Sequence, residues 1–259
     1  MTTSDEMTTS ATSATSDETL VLIHGAQHGG WCWRKVLGPL RGLGHDVHAI
    51  TLTGLGERAH LLTPDVDLNT HIADVLAMIE AEELSGVTLV GHSYGGMVAA
   101  GVTARLRHPA VRRLVYLDSP VPVDGDSVSA VHPQVHRLAR AHTVVDGVAV
   151  LPVGEATAMG VRGGDAAWVQ RRLTPHPYGT VRTPLRLPDG WNDGVEQVYI
   201  RCVSGADGRA RSHLDTSRVD EAAGWRYFEL ESGHDAMIDA PDGLVALLKE
   251  VCATGQTTV

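Results

Sequence analysis

The sequence predicts an α/β protein: a doubly wound, mostly parallel sheet of about six strands, interrupted by an inserted, largely helical cap. Three observations carry this. Short continuous apolar runs of strand length alternate with segments whose apolar residues recur at helical spacing. One run, in TLVGHSYGGMVAA, halts at Gly91, places Ser93 between Gly91 and Gly95, and resumes at helical spacing. The alternation then breaks between residues 120 and 194, a stretch rich in Pro, Gly, His and Arg and too long for a plain connection.

The elements follow in order. Residues 1–18 are Thr/Ser-rich and mildly acidic; they carry too little apolar surface to offset their ordering entropy and read as a disordered tail. TLVLIHG is a run buried on both faces, ending at Gly25. WCWRKVLGPLRGLG has helical periodicity and a glycine stop at Gly44, and HDVHAITL is the next strand. DLNTHIADVLAMIEAEEL is the clearest helix, with Asp67 or Asn69 as cap and Ile72, Val75, Leu76 and Ile79 on one face. GVTLVGHS is the third strand, a helix runs from about Tyr94 to Arg107, and VRRLVYLDS is the fourth strand. After the insertion come the strand EQVYIRCV, a helical segment near 210–223, the strand WRYFELES and the helix DGLVALLKEV. The core therefore comprises 19–119 and 195–259, with 120–194 as cap. Such alternation implies right-handed βαβ units and a sheet covered on both faces.

The bulk numbers exclude several classes. With 259 residues, 43% of them hydrophobic, the chain can bury a sizeable core, and with 4% aromatics that core must rest on aliphatic side chains. A net charge of −10 makes nucleic acid and anionic membrane poor partners. The cysteines, Cys32, Cys202 and Cys252, are odd in number and widely spaced, which argues against a disulfide framework or zinc site and for a reducing compartment. No secretory signal or bilayer-spanning run is visible, so the expectation is a soluble, cytoplasmic protein. No cofactor is implied, and oligomeric state, a homodimer included, stays open.

Ser93 sits where a strand turns at once into a helix. That turn strains the backbone, needs small neighbours and lifts the serine oxygen above the carboxyl edge of the sheet: the pattern G-x-S-x-G. A serine hydroxyl needs a base, and the base an orienting acid. His234, just past the last strand in ELESGHDAM, is the candidate base. Two aspartates are candidate acids. Asp207 follows the fifth strand within a Gly-rich turn; Asp118 ends LVYLD directly, one strand nearer the serine, a position that favours it. Backbone N–H groups of Tyr94 and of Ala26, in HGAQHGGW, are candidate oxyanion donors.

Together, VLIHGAQHGGWCWRKV, TLTGLGERAHL, LVGHSYGGMV, LVYLDS and GHDAM resemble the α/β-hydrolase superfamily, and within it bacterial esterase-like members related to plant methylesterases and hydroxynitrile lyases. The resemblance covers nearly the whole chain after the tail. It implies a serine-hydrolase triad, no cofactor and a helical cap over a small-molecule pocket. Two departures disfavour lyase activity: Gly25 stands where those lyases carry threonine, and Asp235 where they carry the lysine that partners cyanide. Serine at position 93 excludes the aspartate-nucleophile relatives. The preponderance of Arg over Lys suggests a GC-rich bacterial source.

Gly25, His28, Trp31, Met97 and Met237 are candidate substrate contacts, as are Trp33 and the Tyr94 side chain, all near the expected carboxyl edge. His132, His136 and His142 are spaced almost as metal ligands, but Pro133 disturbs the helix and no carboxylate or cysteine completes a set, so no metal is expected. The residues lead to a serine hydrolase acting on a small ester. The alternatives are a biosynthetic enzyme using the same pocket for non-hydrolytic chemistry on a polyketide-like metabolite, and a non-catalytic small-molecule binder.

Overall fold

The computed structural model describes residues 18–203 and 214–253. The core strands are β1 (Thr19–Ile23), β2 (Asp46–Ile50), β3 (Val87–His92) and β4 (Val111–Leu117), connected by helices α1 (Arg34–Gly42), α2 (Leu68–Ala81) and α3 (Tyr94–Leu106). The insertion follows with α4 (Val128–Val131), α5 (Pro133–Arg140), β5 (Thr143–Val145), β6 (Val148–Leu151), α6 (Gly163–Gln170), β7 (His176–Pro177) and α7 (Tyr178–Arg182). The chain returns to the core as β8 (Glu196–Cys202), β9 (Arg226–Leu230), α8 (Ala236–Asp239) and α9 (Pro241–Ala253). The six core strands pair in the order β2-β1-β3-β4-β8-β9, and every pairing is parallel.

The strand period explains how the sheet fills both layers. In β1, Val21 and Ile23 face one core while Leu20 and Leu22 face the other; in β4, Leu114 and Tyr116 oppose Val115 and Leu117 in the same way. The first core is closed by α2 and α3, the second by α1 and α9. Helix α2 starts where a carboxylate satisfies its free amides: Asp67 accepts from Thr70 N–H at 3.0 Å, and the Thr70 hydroxyl accepts from Asp67 N–H. Its apolar face is as expected, with Leu76 half-buried, and the sequence pattern omits the buried Leu68 and His71.

The insertion holds more than helices. Strands β5, β6 and β7 form a small antiparallel sheet that aliphatic periodicity alone did not reveal. Glu18, at the edge of the expected tail, is buried and accepts from the fully buried Arg113 at 2.6 Å; Arg113 also donates to Glu196 at 2.8 Å. This network crosses the end of the sheet opposite the serine, and burying such charges is tolerable only because each is paired. Within 210–223 the expected helix reduces, among the described residues, to a short 3₁₀ turn at Glu221–Ala223. The three cysteines are buried and free, and no helix among the described residues is long and apolar enough to cross a membrane.

Candidate active site

The elbow is built as its sequence demands. Strand β3 ends at His92, α3 begins at Tyr94, and Ser93 between them has φ 52° and ψ −121°. A side chain tolerates that left-handed backbone only at a cost of about 1–3 kcal/mol, so the surroundings must hold it. Ser93 N–H donates to the Leu117 carbonyl at 3.0 Å, and its own carbonyl accepts from Gly96 N–H at 3.1 Å. A Cβ on Gly91 would lie 2.6 Å from the Gly95 carbonyl oxygen, and one on Gly95 would lie 2.5 Å from that of Ile23. Gly96, outside the five-residue pattern, is equally constrained: a Cβ there would collide with the Ser119 side chain.

Ser93 borders a cavity of about 420 Å³ between the sheet and the insertion, and His234 borders the same cavity. The His234 ring donates through Nδ1 to Asp118 Oδ2 at 2.6 Å. Asp118 immediately follows β4 with φ 41°, and its other carboxylate oxygen faces Cys202 N–H at 3.4 Å. Burial alone pulls the His234 pKa down, but the Asp118 hydrogen bond and charge outweigh it, and the pKa is raised above the ordinary histidine value. Asp207 lies outside the described residues.

The loop after β1 faces the serine. His24 donates through Nδ1 to the Gly25 carbonyl at 2.8 Å and accepts at Nε2 from Leu52 N–H at 3.1 Å. These partners define a neutral ring, and burial pushes its pKa down to about 3. In a trans peptide the N–H points opposite the carbonyl, so pinning the Gly25 carbonyl fixes the direction of Ala26 N–H. Ala26 lines the cavity, and neither its N–H nor that of Tyr94 donates to a protein acceptor among the described residues.

The cavity wall departs from expectation in part. Gly25 and His28 line it, but both ring nitrogens of His28 are engaged, by Ala26 and Asp235, so the ring offers substrate no free polar atom. Trp31, Met97 and Met237 do not line it. Met97 is buried among the α2 and α3 side chains, Met237 belongs to the opposite core, and Trp31 stacks on His28 at 5.2 Å with its edge side toward Trp168. Trp33 is buried in that same opposite core, and the Tyr94 hydroxyl turns away to donate to His71 Nδ1 at 2.8 Å. The insertion supplies what sequence reasoning missed: His132, Val135, Leu138, Leu151 and Met159. Of the three spaced histidines, His132 is thus a pocket residue, held neutral by burial with a pKa of about 4, while His136 donates outward to the Ser129 carbonyl. Only the spacing of His132 from an apolar helix face could have flagged it.

His92, the residue before the serine, is a further buried wall residue. It donates through Nε2 to the His234 carbonyl at 2.9 Å, and burial pushes its pKa down to about 3. Its ring occupies the space beside Gly25, where a Cβ would come within 2.8 Å of Nδ1. The glycine at position 25 is therefore required by the histidine at position 92.

Comparison with known proteins agrees with this architecture. The model of the alpha/beta hydrolase family matches residues 20–247. The carbendazim-hydrolysing esterase of Nocardioides sp. (strain SG-4G) is 41% identical over 239 residues, 88% of this chain and 97% of that protein. Methyl jasmonate esterase 1 of Vitis vinifera is 32% identical over 120 residues, 45% of each chain. An extracellular α/β-hydrolase from a Paenibacillus species superposes with a TM-score of 0.75 over 92% of this chain and 100% of that one, at 22% identity. A methylesterase from Arabidopsis does so with a TM-score of 0.70 over 90% and 98%, at 21% identity. At such identities the two structures speak for the fold.

Proposed function

We propose that this chain, which belongs to the alpha/beta hydrolase family and is related to plant methylesterases, cleaves a small carboxylic ester through an acyl-enzyme on Ser93. One observation carries the reading: the 2.6 Å hydrogen bond that orients His234 on Asp118, at a cavity that Ser93 shares.

Each step follows from that geometry. With Nδ1 committed to Asp118, the proton-accepting nitrogen of His234 is Nε2. His234 takes the Ser93 proton as Oγ attacks the ester carbonyl. The oxygen that gains charge is met by the N–H groups of Ala26 and Tyr94, which no acceptor among the described residues claims. Protonated His234 then gives its proton to the departing alcohol, and a water activated by the same ring releases the acid and regenerates the serine.

The cavity bounds the substrate. About 420 Å³ admits a compact molecule, and the Val135, Leu138, Leu151 and Met159 side chains from the insertion favour an apolar acyl or aryl group, with Arg137 and Glu155 as charged residues on the same wall. The relatives named for carbendazim and methyl jasmonate suggest a small alkoxy leaving group such as methoxide. Lyase chemistry is disfavoured because Asp235 brings a carboxylate, buried and turned toward His28, in place of a pocket cation.

The test is turnover of p-nitrophenyl acetate, p-nitrophenyl butyrate and carbendazim by the wild type and Ser93→Ala, with mass spectrometry of the quenched enzyme. Hydrolysis lost in S93A and an acyl adduct on Ser93 are expected. Hydrolysis indifferent to S93A refutes the mechanism; binding of these esters without turnover refutes the esterase reading and favours a binder.

A further inference from the structure

We propose that His28 and Asp235 form a buried imidazolium–carboxylate pair that acts as a positioning clamp, tying the loop that carries Ala26 to the segment that carries His234. The inference rests on the ester-hydrolysis reading above and adds two residues that touch no reacting atom.

The protonation state follows from the partners. His28 Nδ1 lies 2.8 Å from the Ala26 carbonyl oxygen, and Nε2 lies 3.1 Å from Asp235 Oδ2. The carbonyl can only accept, so Nδ1 carries a proton. A second proton lies between Nε2 and the carboxylate, and imidazole, with an ordinary pKa of about 6.5 against about 3.9, is the stronger base. The pair is therefore ionic. Both side chains are removed from solvent, at 1% and 0% exposure. Such a pair survives only with both partners present, because either charge alone would be stranded. Burial opposes both charges, and the mutual attraction wins: the His28 pKa is raised and that of Asp235 lowered. The Trp31 ring, stacked on His28 at 5.2 Å, gives the cation a π face.

The clamp acts on the peptides around Ala26. The peptide before it is pinned by His24 on the Gly25 carbonyl. The peptide after it is pinned at both polar atoms: the Ala26 carbonyl by His28, and Gln27 N–H by His176 Nδ1 at 3.1 Å. Ala26 N–H is thereby aimed before substrate arrives, the condition under which an oxyanion donor lowers a barrier. The other end is equally held. Asp235 N–H donates to the Met159 carbonyl at 3.3 Å, and the adjoining His234 carbonyl accepts from His92. One ion pair thus sets the oxyanion donor in register with the base.

Three substitutions separate the links. In His28→Asn the amide nitrogen can replace Nδ1 toward the Ala26 carbonyl but cannot reach Asp235. In His28→Gln the amide can reach Asp235 but abandons the Ala26 carbonyl. Asp235→Asn keeps both contacts, donating to Nε2 of a neutral ring, and removes only the charges. The clamp predicts that kcat falls about tenfold or more in H28N and H28Q with KM moving less than about threefold, and falls by a smaller factor in D235N. In ¹⁵N-histidine spectra near neutral pH the wild type should show two His28 ring N–H groups and D235N one. A rise in KM at unchanged kcat, or a single ring N–H in the wild type, overturns the proposal. Circular dichroism checks folding; should the His28 variants fail to fold, an unchanged kcat in D235N overturns it and a loss supports it. Wild-type turnover that survives Ser93→Ala sinks the reading of the site itself, while the spectra still report on the ion pair.

Discussion

Acidification from about pH 7.5 to about pH 5.5 should cost this protein much of its stability, because its interior holds histidines that fold in the neutral form. His24, His71, His92, His132 and His176 are buried, and desolvation lowers the pKa of each: to about 3 for His24 and His92, to about 4 for His71 and His132, and further below the ordinary value for His176. In the unfolded chain each titrates near about 6.5. Below that value the unfolded state binds protons that the native state refuses, so their contribution is intact above about pH 6.5 and shrinks as the pH falls toward the folded values. One unit below the unfolded pKa, each such group costs about 1.4 kcal/mol. Five amount to about 7 kcal/mol, comparable to the whole stability of a typical domain, about 5–15 kcal/mol. His28 and His234, whose pKa values are raised, offset part of this: above about pH 6.5 the native state holds protons that the unfolded chain gives up, so their contribution grows as the pH falls from about 7.5 and is complete below about 6.5. Urea unfolding followed by circular dichroism at about pH 7.5, 6.5 and 5.5 measures the effect as a steeply falling midpoint. His132→Leu removes one of the five and should recover about 1 kcal/mol of the loss. A midpoint that is level or rises toward pH 5.5 would refute the reasoning.

Four further outcomes follow from the same geometry. Gly91→Ala places a Cβ against the backbone of Gly95 and Gly96 and should cost about 3 kcal/mol, whereas Gly38→Ala, with open space around it in α1, should be neutral or stabilising by about 0.5–1 kcal/mol; paired thermal melts decide. The base must be neutral to accept the serine proton, so kcat/KM should fall on the acid side with a midpoint above the ordinary histidine value of about 6.5. Asp118→Asn, which forfeits the correct tautomer, should lower kcat by about 10⁴. Glu18→Ala leaves the buried Arg113 with Glu196 as its remaining carboxylate partner and should destabilise by about 1–3 kcal/mol, visible as a lower melting temperature with the active-site chemistry untouched.

Much of the candidate site was legible in the sequence because it is written in local patterns. Gly91, Ser93 and Gly95 announce a strand–turn–helix, since only that geometry needs small residues on both sides of a strained serine. His234 was legible from its place after the last strand, and Asp118 from its place at the end of a buried one. The choice between Asp118 and Asp207 was not, because both follow strands and no local pattern says which carboxylate meets a ring 116 positions distant in the chain. Pocket lining failed for a related reason. Nearness to the expected carboxyl edge suggested Met97, beside the elbow, and Met237, beside His234, but one helical turn carries a side chain from the cavity into the core.

The sequence by itself determined the layers of the sheet, the elbow and the choice of Ser93 and His234 as candidate nucleophile and base, since each follows from periodicity, from place after a strand or from a glycine that backbone sterics require. Tertiary structure alone decided that Asp118 meets the His234 ring and that the insertion supplies apolar wall residues. It also decided that Glu18 closes a buried ion network and that Asp235 turns to His28 and not to the pocket. Those are contacts between residues far apart in the chain, and buried charges and hydrogen-bond donors choose partners by distance in space, which periodicity does not encode.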